Sequence, residues 1–177
     1  MSTAYVGLGA NIDEPVTRLR QATALLAALP NTSIIQCSAI YRSHPLGPQD
    51  QPDFFNACVA LSTEFTREGL LTAMQGIEQT MGRVRTRRWG ERCIDLDLLL
   101  FGSEQCDTPT LQLPHPGIAQ RDFVLAPLRE LVPGDFEVPG AGDIDTLLEH
   151  CCASGVQRTD LSLDCYGERE GSSDAKR

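Results

Sequence analysis

The order of local patterns along the chain predicts an α+β fold. The expected core is a ferredoxin-like βαββαβ unit, with helices packed on a mostly antiparallel sheet. Three observations carry this. Short β-rich runs and two helical stripes follow one another as β-α-β-β-α-β. The stripes repeat apolar residues at helical spacing. Proline- and glycine-rich breaks separate them. The chain has 177 residues, the size of one domain, and 41% are hydrophobic, which sets it apart from disordered chains.

Thr3 to Leu8 reads as a strand running into Gly7 and Gly9, which are read as turn residues with Asn11. Pro15 suits a first helical turn. Val16, Leu19, Ala22, Leu25, Leu26 and Leu29 then make a helical stripe, ended by Pro30 and Asn31. Ser33 to Ser43 reads as one strand, and His44 to Asp53 as a loop with three prolines. Phe54 to Thr63 is the next strand, and Arg67 to Met81 a helix. Gly82 to Arg92 is an arginine-rich loop feeding the strand Cys93 to Phe101. Helices should cover one face of the sheet. Further helices are expected near Phe123 to Leu131 and Ile144 to Cys151. Residues 1–160 are expected to form a single domain and 161–177 a polar tail, with periodicity already lost from about Asp160.

No apolar run reaches eighteen residues, and Met1 to Val6 lacks the pattern of a signal peptide. A cytoplasmic protein without membrane contact is expected. The seven cysteines are odd in number and none is spaced C-x-x-C, so reduced thiols are expected rather than a disulfide framework. The formal net charge of −9 argues against nucleic-acid binding. The distribution of charge says more. Five arginines, Arg83, Arg85, Arg87, Arg88 and Arg92, crowd one loop, and only Lys176 is a lysine. An acidic chain with one dense arginine patch points to a small polyanion, which guanidinium groups bind bidentately.

Asp95 and Asp97 stand two apart in a strand, so both face one side while Ile94, Leu96 and Leu98 face the other. Such a pair can hold hard cations whose remaining ligands are phosphate and water. The arginine loop enters this same strand, so the two together describe a metal–nucleotide site. Arg87 is read as an ordinary solvated arginine. No Walker A loop is present, because no internal lysine exists, and Ile12 occupies the third glycine position of a dinucleotide fingerprint. Trp89, in a polar loop, suits a residue that closes over a ligand. Phe54, Phe55, Asn56 and Phe123 suit a flat heterocycle, though each phenylalanine also suits a core. His115, between two prolines, suits a phosphate contact.

Arg88-Trp89-Gly90-Glu91-Arg92-Cys93-Ile94-Asp95-Leu96-Asp97-Leu98-Leu99 resembles the signature of the 6-hydroxymethyl-7,8-dihydropterin pyrophosphokinases. Tyr41 to Asn56, Glu78 with Gly82-Arg83-Val84-Arg85, and Pro114-His115 with Arg121-Asp122-Phe123 resemble the same family in order and spacing. The likeness runs from about Ala4 to Pro133. It implies transfer of pyrophosphate from MgATP to the pterin hydroxyl, giving the pterin diphosphate and AMP on the route to tetrahydrofolate. By the same resemblance Asp95 and Asp97 would hold two Mg²⁺ ions, with Asp97 also a proton acceptor. Arg83, Arg85 and Arg92 would act on the transferring phosphates. Glu78, Trp89, Leu98, His115 and Arg121 would serve the ATP side. Phe54 and Phe123 would sandwich the pterin, while Asn56, with Ser43 and Leu46, reads its edge. His44, Thr110, Gln112 and Phe54 depart from the family pattern, and the arginine loop is one residue shorter. Only small-molecule partners and a monomer are expected. A single-stranded RNA module is one alternative, and a different Mg-nucleotide enzyme or an inactive relative that only binds pterin is the other. The sequence lacks the aromatic pattern of the first and has the wrong net charge for it, and product analysis separates the second, since ADP in place of AMP would point elsewhere.

Overall fold

The computed structural model describes residues 1–84 and 86–165. Its architecture is α+β, and the main sheet is antiparallel. In chain order the elements are β1 (Ser2–Ala10), α1 (Pro15–Ala27), β2 (Thr32–Cys37), β3 (Ala39–Ser43), β4 (Phe54–Thr63), α2 (Arg67–Thr80) and β5 (Asp95–Phe101). The hairpin β6 (Cys106–Asp107) and β7 (Gln112–Leu113) follows, then α3 (Asp122–Arg129), the pair β8 (Glu137–Val138) and β9 (Gly142–Asp143), α4 (Ile144–His150) and β10 (Gln157–Ser162). The sheet order is β10-β3-β4-β1-β5, with β2 also paired to β4. No helix among the described residues is long and apolar enough to cross a membrane.

The helices begin where local chemistry allows. Pro15 opens α1, and Leu19, Ala22 and Leu26 of its stripe are buried. Thr66 caps α2 by accepting the N–H of Gly69 at 3.1 Å. Leu70, Met74 and Ile77 then face the sheet. Period-2 alternation sends Ala4, Val6, Leu8 and Ala10 of β1 to the same side, where they meet α1, α2, Val59, Leu61, Leu96 and Leu98. The opposite face carries Tyr5, Cys58, Leu99 and Leu100 against α3 and α4.

Several expectations are corrected. Helices cover both faces, because α3 and α4 bring a second apolar surface that the first 101 residues do not contain. The single strand expected over 33–43 breaks at Ser38, whose Oγ accepts the N–H of Cys58 while its own N–H bonds the Cys58 carbonyl, each at 2.9 Å. Gly7 and Gly9 lie within β1 rather than in a turn. The chain from Asp160 is not frayed as far as Cys165: β10 pairs with β3, and Leu163 is buried. That strand also carries Cys165 to Cys37, with which it forms a disulfide at a Cα–Cα distance of 6.3 Å. The reduced-thiol reading therefore holds only for Cys58, Cys93, Cys106, Cys151 and Cys152. A separation of 128 residues left no local signal for the pair. Residues 166–177 of the expected tail lie outside the described residues.

Glu130, just after α3, ties that helix to the sheet. Its carboxylate accepts the N–H of Ala39 at 3.0 Å, the Tyr41 hydroxyl, and Arg158 Nε at 3.1 Å. Partial burial works against the Glu130 charge, but these donors outweigh it and hold the carboxyl below its ordinary 4.5. Burial, then the hydrogen bond and charge of Glu130, push the Tyr41 hydroxyl up to about 12. A depressed folded-state value stabilises above the unfolded value and stops doing so as pH falls through the folded one. Glu130→Gln should therefore cost about 1–2 kcal/mol at pH 7. Urea unfolding should show that difference shrinking as the pH is taken below about 4.5; a gap constant with pH would contradict the assignment.

Candidate active site

The site forms where β1, β4 and β5 leave the second face of the sheet uncovered beside the start of α3. Register explains the opening. Gly9 pairs with Asp95 on β5 and Asn56 on β4, and Gly7 pairs with Asp97 and Cys58. Strand glycines present no side chain, so the floor between the acids and Asn56 stays empty. A Cβ on Gly9 would stand 3.2 Å from Asn56 Oδ1. The resulting cavity, about 130 Å³, is lined by Ser43, Leu46, Phe54, Asn56 and Phe123 together with Trp89, Arg92, Asp95, Asp97 and Arg121. Asn56 donates from Nδ2 to Ser43 Oγ at 2.8 Å.

A second cavity shares Trp89, Arg92, Asp95, Asp97 and Arg121 and adds Glu78, Arg83 and His115. The acid pair is thus the partition between an aromatic-lined space and a guanidinium-lined one. Asp95 Oδ1 accepts Arg83 Nη1 at 2.8 Å, and Oδ2 pairs with Arg92. Arg83 also pairs with Glu78, whose Oε1 accepts the N–H of Leu96 at 2.7 Å. Glu78 is 7% exposed, so it orients Arg83 and the start of β5 from beneath. Among the described residues Arg83 Nε, also buried, has no hydrogen-bond partner.

Asp97 is the more open of the two acids, its side chain 37% exposed against 15% for Asp95, though protein atoms surround it on most sides. Burial and then the neighbouring Asp95 charge push its carboxyl well above the ordinary range, while Arg92 and Arg121 pull it down. His115 Nε2 lies 3.7 Å from Asp97 Oδ1. The Gly117 N–H donates to His115 Nδ1 at 3.1 Å, which puts the ring hydrogen on Nε2, toward Asp97. Burial and the Arg121 charge lower the His115 pKa, so the imidazole is neutral at pH 7. The Arg121 guanidinium lies 6.0 Å from the Phe123 ring centre. Leu98 turns the other way, into the core of α1 and α2. It also borders a shallow groove with Leu71, Thr110, Gln112 and His115. Arg85 lies outside the described residues. Arg87 is a surface residue paired to Asp50 and Glu91 at 2.9 and 2.7 Å.

The donor set fits a hard divalent cation. Two carboxylates share one face, and among the described residues no group of three or more His, Cys, Asp or Glu side chains is placed to hold a metal ion. The protein would supply two ligands, and a cation would need phosphate oxygens and water for the rest.

Asn11, read from the sequence as a turn residue, has a larger place in the structure. It exchanges hydrogen bonds with the Arg92 backbone, N–H to carbonyl at 3.0 Å and Oδ1 from N–H at 2.9 Å. Its Nδ2 donates to Gln51 Oε1 and to the Pro52 carbonyl, both at 3.0 Å. Gln51 in turn donates to the Trp89 carbonyl at 2.9 Å. Asn11 therefore holds the proline loop and the arginine loop together over the site. Gly47 permits the crossing, since a Cβ there would come within 2.6 Å of Trp89 Cβ. Partners 40 and 81 residues away leave no sequence signal.

Comparison with known proteins identifies the chain's relatives. Residues 5–133 match the model of the family described as 7,8-dihydro-6-hydroxymethylpterin-pyrophosphokinase (HPPK). The 2-amino-4-hydroxy-6-hydroxymethyldihydropteridine pyrophosphokinase of Haemophilus influenzae is 44% identical over 149 residues, covering 84% of this chain and 92% of the relative. That of Pseudomonas aeruginosa is 44% identical over 154 residues, covering 87% and 94%. Among solved structures, Plasmodium falciparum HPPK-DHPS with SDX-DHP superposes with a TM-score of 0.62 at 14% identity, covering 84% of this chain and 43% of that one. The chain thus spans less than half of that structure, and the likeness speaks to fold. The family match spans most of the chain and is joined by relatives aligned over nearly their whole length, so this chain belongs to the 7,8-dihydro-6-hydroxymethylpterin-pyrophosphokinase family.

Proposed function

We propose that this protein transfers pyrophosphate from ATP to the hydroxyl of 6-hydroxymethyl-7,8-dihydropterin, giving the pterin diphosphate and AMP for tetrahydrofolate synthesis. The observation that carries the proposal is the partition: an aromatic, amide-bearing cavity and a guanidinium-lined cavity meet at Asp95 and Asp97. The first suits a flat heterocycle with a hydrogen-bonding edge, and the second suits a triphosphate. We read the sheet as the split βαβ of ferredoxin-like folds, with β2 and β3 sharing the place of one strand. The catalytic domain expected over 1–160 is extended by the packing of Leu163. The protein acts as a cytoplasmic monomer with small-molecule partners only.

In this reading the pterin lies between Phe54 and Phe123, and Asn56, Ser43 and Leu46 meet its edge. The hydroxyl attacks the β-phosphorus in line, the bond to the α-phosphate oxygen breaks, and AMP leaves with the electron pair. Asp95 and Asp97 would hold two Mg²⁺ ions, which would supply charge neutralisation on the transferring group. Arg83, Arg85 and Arg92 stabilise that charge, and Arg121 and His115 hold the triphosphate. Glu78 keeps Arg83 in place. Leu98 and its groove border the nucleotide, and Trp89 closes the loop over it. Asp97, which lines both cavities, would take the hydroxyl proton. Catalysis on this account is positioning and electrostatics.

Incubation with MgATP and the reduced pterin, followed by nucleotide chromatography, should show AMP rising with the pterin diphosphate; ADP instead would overturn the proposal. Asp97→Ala should lower turnover by about 10²–10³ while leaving the unfolding midpoint nearly unchanged, because the side chain faces the cavity. Arg92→Ala should cost kcat a similar factor, and normal turnover in either variant would remove that residue from the mechanism. Gly9→Val should fill the floor between Asp95 and Asn56. It should raise the pterin KM about tenfold or more while ATP binding, followed by calorimetry, stays near the wild-type value.

A further inference from the structure

The segment after α4 lies beyond the 5–133 family match, yet it packs against His44, which lines the aromatic cavity, and against Asp122, beside Arg121 and Phe123 of the same lining. Ser154 is 8% exposed and Asp122, the first residue of α3, is 5% exposed. Both Asp122 oxygens are taken by Ser154: Oδ2 accepts its N–H at 2.7 Å, and Oδ1 accepts its hydroxyl. The Ser154 carbonyl accepts the N–H of His44 at 3.1 Å. Gly155 follows at φ +69°, where a Cβ would stand 2.7 Å from His44 Cδ2. The segment is anchored on each side, by a bridge between Cys152 and Arg121 and by pairing of Gln157 with Arg42.

We infer that Ser154 is a positioning residue for the pterin side of the site. It brackets the start of α3, which carries Arg121 and Phe123, to the end of β3, which carries Ser43 and leads into His44. The inference rests on the pterin reading of that cavity. Glu130 ties the far end of α3 to β3, so the helix is already held to the sheet away from the site. What Ser154 adds is the separation of the cavity walls at the end where a ring would enter. A buried carboxylate with both oxygens engaged by one residue has a single favourable orientation, and it transmits that orientation to the adjacent Phe123. Nothing in the bracket touches the guanidinium-lined cavity except through Arg121, so its loss should be felt by the pterin before ATP.

The test is steady-state kinetics on the full chain carrying Ser154→Ala, Ser154→Thr or Gly155→Ala. Ser154→Ala keeps the backbone donor and removes the charge-assisted hydroxyl bond. It should raise the pterin KM roughly tenfold, with the ATP KM and kcat within about twofold. Ser154→Thr should restore the pterin KM to within about threefold. Gly155→Ala, which drives a methyl group at His44, should raise the pterin KM without loss of fold, and it decides the matter alone if Ser154→Ala does not fold. A folded variant with unchanged pterin KM overturns the inference. So do parallel rises in both KM values with a lower unfolding midpoint, since a merely structural contact would do that. Hydrogen exchange at the His44 amide reads the bracket without turnover: it should quicken about tenfold in Ser154→Ala, and unchanged exchange sinks the bracket. Wild-type protein that forms no AMP would instead sink the pterin reading, with the His44 exchange still able to report on the bracket.

Discussion

Asp95 and Asp97 repel each other across one face of β5, and the surrounding structure compensates that repulsion. Arg83 and Arg92 neutralise Asp95 directly. Glu78 holds Arg83 and caps the Leu96 N–H, so the guanidinium is oriented from below. Asp97 is left with a neutral imidazole and the more distant Arg92 and Arg121, and its carboxyl is held high. A site built this way is electrostatically unfinished. It holds cationic groups turned toward a polyanion and acids able to accept a cation, and a metal–triphosphate complex satisfies both.

The same acids need space in front of them, and β1 provides it. A glycine in a strand weakens the strand, yet Gly7 and Gly9 fall opposite Asp97 and Asp95. The alternate residues Val6, Leu8 and Ala10 are buried in the core, so the strand is held by one face while the other is left bare. A bulge at Leu99, set by Tyr5 pairing with Leu100 and Val6 with Leu98, then returns β5 to an apolar outer face where α3 packs. The cavity ends where that bulge begins.

Distant segments close the site. Asn11 gathers the proline loop and the arginine loop, while Glu130, Ser154 and the Cys37–Cys165 disulfide fasten α3 and β10 around the far side of the sheet. Asn11 and Ser154 are buried polar residues whose partners lie far along the chain, and leaving their hydrogen-bonding groups unpaired would carry a desolvation cost.

Periodicity alone made β1, α1, β4, α2 and β5 legible, because the spacing that defines a helix or strand also defines its buried face. Asp95 and Asp97 were legible as one-sided for the same reason, and the arginine loop by its density. The glycines of β1, the break at Ser38, the strand β10 and the disulfide were not, since each depends on which strand lies alongside. Asn11 and Ser154 look like ordinary polar residues in the chain. Local spacing thus determined the elements and the charged groups on offer. Tertiary structure alone decided the empty floor, the paired cavities and the brackets around them, because those arise from register and from hydrogen bonds between residues dozens of positions apart.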